Sequence, residues 1–263
     1  MKVRVLGCSG GIGGPRMRTT SLRVDDDILI DAGTGLADLP LEELARIDHV
    51  FLTHSHLDHI AMLPLMLDAT ISLRSRPLTV YALKETTDIL KKHVFNWGVW
   101  PDFSTIPHRG TQALQYREIA VGETLALGEP GKGHRGERTI TVLPAVHNVP
   151  AVGYLLDSGK GCLAFTGDTE SNDALWPILN EVARLRILII ETTFPNREKN
   201  LAIASKHLYP KKLDDELKRL KSAPEIYIFH FKPAHAESLM DEIDECVQGF
   251  TLRPLRNDMV FEF

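Results

Sequence analysis

Apolar residues in this chain fall into short runs broken by glycine and charged turns, with helical periodicity between them. Lys2–Leu6, Ser21–Val24 and Ile28–Ile30 read as strands, with Asp25-Asp26-Asp27 turning the chain between the last two and Gly33-Thr34-Gly35 following the third. His49-Val50-Phe51-Leu52-Thr53 reads as a short buried strand. Ile60 to Leu73 is apolar nearly all round, which predicts a buried helix with Pro64 in its first turns. Leu78–Ala82 predicts a strand. Glu85–Trp97 predicts a helix with Ile89, Leu90, Val94 and Trp97 on its core face and Gly98 closing it. An irregular stretch, Val99 to His108, separates it from strands expected around Ala113–Ile119 and Thr139–Val146, with a polar, glycine-rich loop at Gly131–Gly136 between those two.

The second half repeats the alternation. Val152–Leu156 and Gly161–Phe165 are expected strands joined through Asp157-Ser158-Gly159, a hairpin signal. Ala174, Leu175, Ile178, Leu179 and Val182 make one helical face, and Arg186–Ile190 and Ile226–Phe229 read as strands. Leu213, Leu217 and Leu220 mark another helix. Leu239, Met240, Ile243, Cys246 and Val247 mark a last one, stopped by Gly249. No linker or internal repeat interrupts the series, so residues 1–263 are expected to form one mixed α/β domain.

Composition narrows this only mildly. A chain of 263 residues with 43% hydrophobic and 25% charged residues has an ordinary globular balance and can bury a substantial core. The formal charge of −5 argues against a generic nucleic-acid surface. Bound divalent cations would offset that charge locally, so an anionic substrate remains compatible. Cys8, Cys162 and Cys246 are widely spaced with apolar neighbours, as expected of reduced, mostly buried thiols. The N-terminal residues are too soon broken by glycines for a secretory signal, and no apolar stretch is long enough to span a bilayer. A cytoplasmic location is the expectation.

The candidate chemistry begins at Thr53-His54-Ser55-His56-Leu57-Asp58-His59. Three imidazoles and a carboxylate in so short a span cannot all face one side of a strand, and unpaired they would be costly to bury. Hydrolytic metal sites need these donors. Further candidates each follow an apolar strand: His147 after Thr141–Val146, Asp168 after Cys162–Gly167, and His230 after Ile226–Phe229. A carboxylate set off by Gly167 is placed to bridge two cations. The loop Gly7-Cys8-Ser9-Gly10-Gly11-Ile12-Gly13-Gly14-Pro15 lacks the spacing of a dinucleotide or phosphate cradle. It reads as a tight connection bordering the site.

These motifs, in this order, resemble the metallo-β-lactamase superfamily. The resemblance rests on His54-Ser55-His56-Leu57-Asp58-His59, His147, Gly167-Asp168-Thr169 and His230, with Leu6-Gly7-Cys8-Ser9-Gly10-Gly11 and Leu29-Ile30-Asp31-Ala32-Gly33 in support. It covers nearly the whole chain and implies an αββα sandwich, two mixed β-sheets flanked by helices, with metals in a cleft at one edge. It also implies that His54, His56 and His147 hold one metal, Asp58, His59 and His230 a second, and that Asp168 bridges them. Paired cations about 3.5–4 Å apart lower the pKa of a shared water and stabilise charge on the attacked centre. Zinc is the expected metal, and the same donors accept manganese or iron. Asp31 either orients a ligand histidine or caps the turn at Gly33.

Within the superfamily, Glu191-Thr192-Thr193-Phe194-Pro195-Asn196 and Leu201–Pro210 are similar to class II cyclic-nucleotide phosphodiesterases, as is His56-Leu57-Asp58-His59-Ile60. Ala61-Met62-Leu63-Pro64 departs from that branch, where a small residue tends to follow the motif soon after. The resemblance implies hydrolysis of a small-molecule 3′,5′-cyclic phosphodiester, with Asp58 and His207 acting in catalysis. His207 is the candidate proton donor to the leaving alkoxide or a contact to the phosphate. Trp100 and Phe103 are the candidates for stacking a nucleobase.

A tRNA 3′-end endonuclease shares the histidine motif and the Gly-Asp-Thr element, but Gly131–Gly136 is a short arm for gripping tRNA. Lactone or thioester hydrolysis and iron redox chemistry are further alternatives, and the intact ligand set disfavours a non-catalytic binding module. The single apolar stripes of the last two helices can be buried within a monomer, and a homodimer stays open.

Overall fold

The computed structural model describes residues 1–14, 17–128 and 138–263; the glycine-rich loop expected at Gly131–Gly136 lies outside them. Two seven-stranded sheets form among the described residues. The first runs in the order Val260–Glu262, Lys2–Gly7, Ser21–Val24, Ile28–Ile30, His49–Phe51, Leu78–Ala82, Leu114–Glu118. The second runs Leu252–Pro254, Glu225–Phe229, Leu185–Glu191, Cys162–Phe165, Val152–Asp157, Arg138–Pro144, Thr124–Leu127. Both are mixed. From Ile28–Ile30 to Leu114–Glu118 the first sheet is parallel, and the second is parallel from Cys162–Phe165 to Leu252–Pro254.

Strand alternation builds the layers. Successive side chains point to opposite faces, so Ile28, Ile30, Phe51 and Tyr81 of the first sheet meet Ile187, Ile189, Tyr227 and Phe229 of the second in one core. Leu29, Val50 and Val80 point the other way, onto the helix side of the first sheet. Leu188, Ile190, Ile226 and Ile228 do the same on the second, against the helices Leu175–Glu181, Pro210–Leu217 and Leu239–Cys246. Both faces of each sheet are covered, which is why these strands read as continuous apolar runs. Each fully buried aliphatic or aromatic side chain contributes about 1.5–3 kcal/mol. The architecture is the expected αββα sandwich.

Three expectations need correction. The single helix Ile60–Leu73 is in fact two helices, Leu57–Ile60 and Leu63–Thr70, with a 3₁₀ turn at Ile71–Leu73. Pro64 starts the second helix, as proline does best, and cannot lie inside a longer one. Leu65 and Leu73 are exposed, so the segment is not buried all round. The helix expected to reach Trp97 ends at His93. Phe95 takes the core position beyond it, while Trp97 is 66% exposed. The helix Lys199–Ser205 and the strands Thr124–Leu127, Leu252–Pro254 and Val260–Glu262 are elements the periodicity did not predict.

The three cysteines are free, and burial pushes the Cys8 thiol up to about 12. Among the described residues no helix is long and apolar enough to cross a membrane.

Candidate metal centre

The candidate residues converge where strands of both sheets end. His49–Phe51 leads to Thr53 and His54, Arg138–Pro144 to His147, Cys162–Phe165 to Asp168, and Glu225–Phe229 to His230. The two sheets are tied together just below this edge. The Tyr154 hydroxyl of the second donates to the Leu52 carbonyl of the first at 2.6 Å, and the Val152 N–H donates to the Thr53 carbonyl.

Sharp backbone turns aim the side chains. Asp31, Lys206 and His230 all adopt left-handed φ values, +57°, +54° and +70°, and Gly167 before Asp168 lies at +61°. For non-glycine residues this conformation costs about 1–3 kcal/mol each, and it persists where surrounding contacts over-determine it.

Four donor groups stand within mutual reach, their atoms within 4.8 Å of one another: His54 with His56 and His147; Asp58 with His59 and His230; His54 with His59 and Asp168; and His147 with Asp168 and His207. Asp168 therefore adjoins both sides of the cluster. Its Oδ2 lies 3.1 Å from His230 Nε2, 3.4 Å from His59 Nε2 and 3.9 Å from His54 Nε2.

The donors point inward while their far sides are fixed. His54 Nδ1 meets the Thr53 hydroxyl at 3.0 Å, His59 Nδ1 meets Asp31 Oδ2 at 2.7 Å, and His230 Nδ1 meets the Thr193 hydroxyl at 3.0 Å. His147 Nδ1 faces the Lys206 carbonyl at 3.1 Å, which is the use made of that residue's left-handed turn. Such outer partners set the tautomer and direction of a ligating imidazole. By contrast, the Nε2 atoms of His54, His59 and His230 and Oδ1 of Asp168 are buried with no hydrogen-bond partner. An unsatisfied buried polar group costs about 1–3 kcal/mol, so four in one pocket mark a place built for cations. The residues fit divalent metal ions.

The charges agree. Burial opposes ionisation of Asp168, yet the His230 and His59 imidazoles hold its carboxyl well below the usual range. His54, buried among other imidazoles, is pushed the other way and favours its neutral, ligating form. Burial also opposes a charge on His207, but the Glu191 carboxylate 2.7 Å from its Nδ1 outweighs this and raises its pKa.

Glu191 is a group the residue pattern did not single out for a role. It ends the strand Leu185–Glu191 fully buried, and accepts from the Thr169 N–H, the Thr193 hydroxyl and the Leu208 N–H. A charged residue closing an apolar run was the available signal, the same one that marked Asp168. Thr53 and Thr193, which hold the imidazoles of His54 and His230, gave none.

The Asp31 carboxylate faces His59 rather than the turn at Gly33. It holds His59 and Thr53, while the Gly33 N–H is satisfied by the Thr20 carbonyl. The stacking candidates fare differently. Phe103 is 3% exposed and packs edge-on against Phe95 in the core behind the first sheet, so it offers no open face to a base. Trp100 is half-buried against the same core. The glycine loop does border the centre. A Cβ on Gly10 would stand 2.6 Å from the His230 carbonyl oxygen, so only glycine lets the loop approach so closely.

With this geometry in place, the match of residues 26–244 to the Beta-lactamase superfamily domain decides the family. The chain belongs to the metallo-β-lactamase superfamily. It has that family's hydrolase fold, with the divalent-metal binding the fold implies. A probable 3′,5′-cyclic-nucleotide phosphodiesterase of Yersinia pestis is 27% identical over 314 residues, covering 100% of this chain and 86% of that protein. Ribonuclease Z of Haloarcula marismortui is 26% identical over 167 residues, covering 60% of this chain and 47% of that protein. The matched stretch thus spans about half of the ribonuclease. The structure of unliganded yeast PDE1 superposes with a TM-score of 0.78 at 17% identity, covering 100% of this chain and 99% of the yeast chain. That likeness is one of fold.

Proposed function

We propose that this superfamily member is a metal-dependent phosphodiesterase acting on 3′,5′-cyclic nucleotides. The observation that carries the reading is the Glu191–His207 pair in the wall of the seven-residue donor cluster. His54, His56 and His147 would hold one cation, Asp58, His59 and His230 a second, with Asp168 between them. When bound, such ions supply charge stabilisation at the phosphoryl centre and a nucleophile at neutral pH.

The protein's own groups do the rest. Phosphoryl transfer needs positioning and a proton for the departing sugar oxygen. His207 has one free ring nitrogen, because Nδ1 is engaged by Glu191, so Nε2 is the atom that donates to the leaving alkoxide. Glu191 keeps the ring oriented and favours its charged form. Asp58, more exposed than the other carboxylate, Asp168, is the one placed to accept a proton from the attacking water.

The full-length similarity to the Yersinia protein supports the cyclic-nucleotide branch. The relationship to ribonuclease Z supports a second reading, a tRNA 3′-end endonuclease. Purified protein of known metal content, assayed on cyclic AMP, bis(p-nitrophenyl) phosphate and a precursor tRNA, tests both. Turnover of cyclic AMP is expected. Cleavage of the tRNA without cyclic AMP turnover would replace the first reading with the second.

A further inference from the structure

Lys232 lies two residues beyond His230, half-buried at the start of the turn Pro233–His235. Its Nζ donates to the Gly10 carbonyl at 2.6 Å. Gly10 is itself pressed on His230: a methyl group there would come within 2.9 Å of the imidazole Nδ1. The Gly10 N–H and the Ser9 hydroxyl both donate to the Phe231 carbonyl, at 3.0 and 3.1 Å, which locks the glycine loop onto the segment carrying His230 and Lys232. The ammonium is thus anchored on the loop that packs against His230.

A lysine ammonium has three donors, and one is used here. Among the described residues no carboxylate lies within ion-pair distance of it. By contrast, Lys206, whose carbonyl faces His147, has its Nζ 3.9 Å from Glu170. Lys232 also acts electrostatically on His207, opposing its positive charge.

A half-buried cation without a counter-ion is unfavourable, and more so beside a site that collects divalent cations. The arrangement becomes favourable when an anion enters between them. A neutral substrate such as a lactone would leave it unrelieved.

We infer that Lys232 is a phosphoryl-binding residue, its free donors placed for a non-bridging oxygen of the bound diester. This rests on the proposed phosphodiesterase reading, and it predicts that selectivity for anionic substrates resides in this side chain as well as in the metals.

The test uses the metal-loaded full chain as wild type, K232M, K232Q and K232R. Inorganic phosphate is titrated by calorimetry, and KM and kcat are measured for cyclic AMP. In K232M and K232Q, phosphate affinity is expected to fall about 10–100-fold. KM should rise by a similar factor with kcat little changed, and metal content and melting temperature should be retained. K232R should recover most of the affinity. Unchanged phosphate affinity in the neutral variants would overturn the assignment. So would metal loss in all three variants, which would make Lys232 a pin for the glycine loop. Absence of cyclic AMP turnover in the wild type would defeat the functional reading alone, because the phosphate titration still decides the role of Lys232.

Discussion

Oδ2 of Asp31 stands 2.7 Å from Nδ1 of His59, with both side chains fully buried. The other carboxylate oxygen accepts from the Thr53 N–H at 2.8 Å, and the Thr53 hydroxyl lies 2.8 Å from Oδ2. One acidic side chain therefore fixes a candidate ligand and the segment that carries the next, His54. The left-handed backbone at Asp31 turns its carboxylate into this position, and aspartate tolerates that conformation better than most residues.

Asp31→Asn should weaken metal binding about 10–100-fold. The amide cannot accept from His59 and Thr53 with the same charge, so the imidazole loses both its orientation and part of its basicity. Competition with a chelator, read as metal retained per chain, measures this. Retention equal to wild type would show that His59 is held by Thr53 alone.

The Glu191–His207 contact makes a prediction of a different kind, because it should act on turnover rather than on metal. Glu191→Gln and His207→Ala should each lower kcat about 10²-fold or more with metal content intact. A double variant no worse than either single one would show that the two act as a unit. Metal loss in His207→Ala would instead move His207 into the ligand set beside His147 and Asp168.

How far the sequence carried this picture follows from what its signals measure. The histidine motif and the strand-ending His147, Asp168 and His230 were legible because charged or ligating groups behind apolar runs have few structural uses. Glu191 obeyed the same rule and was seen only as part of a family motif; its work depends on a loop that returns His207 to it 16 residues later. Trp97 was misplaced because helical spacing does not say where a helix stops, and Phe103 because an irregular stretch has no periodicity to report which of its side chains are buried. Strand Val260–Glu262 buries only Phe261, and three residues carry too little periodicity to declare themselves.

At the opposite end of the strands, Arg138 opens a strand of the second sheet and reaches Asp25 and Asp27 in the first sheet's turn, at 3.0 and 2.8 Å. Burial works against the Asp27 charge, but its hydrogen bond to Arg138 and that residue's positive charge outweigh it and lower the pKa. A lowered carboxyl pKa means stability that is full above the unfolded value, about 4, and lost as pH falls through the lower folded value. Asp27 is about a third exposed, so solvent screening discounts the bridge. Arg138→Ala should cost about 1–2 kcal/mol at neutral pH. Thermal melts from pH 7 to pH 3 should show the gap between variant and wild type closing below about pH 4. A gap that stays constant would mean Arg138 stabilises through packing.

Gly10→Ala tests the fit of the glycine loop against the centre. The added methyl would meet the backbone of His230 at 2.6 Å, where no flexible side chain can yield. The loop must retreat, taking with it the carbonyl that anchors Lys232. Lower thermal stability, by about 1–3 kcal/mol, together with weaker metal retention is the expected outcome. Wild-type melting and metal content would show that the loop tolerates displacement.

Asp168→Ala bears on the whole centre, because this carboxylate is the group that stands against both halves of it. Its Oδ2 reaches toward His54, His59 and His230, and it shares a donor group with His147. Without it the imidazoles keep their outer partners but lose the negative charge that draws cations between them. Hydrolysis should be abolished, and retained metal should fall from about two ions per chain. Stability gives a second readout. Metal that binds only the folded state at 100 times its Kd adds about 2.7 kcal/mol, so wild type should melt higher after metal loading than after chelation. In Asp168→Ala that increment should shrink or vanish. A variant that keeps full activity and the full increment would show that the two halves need no shared carboxylate, and would sink the paired-cation arrangement.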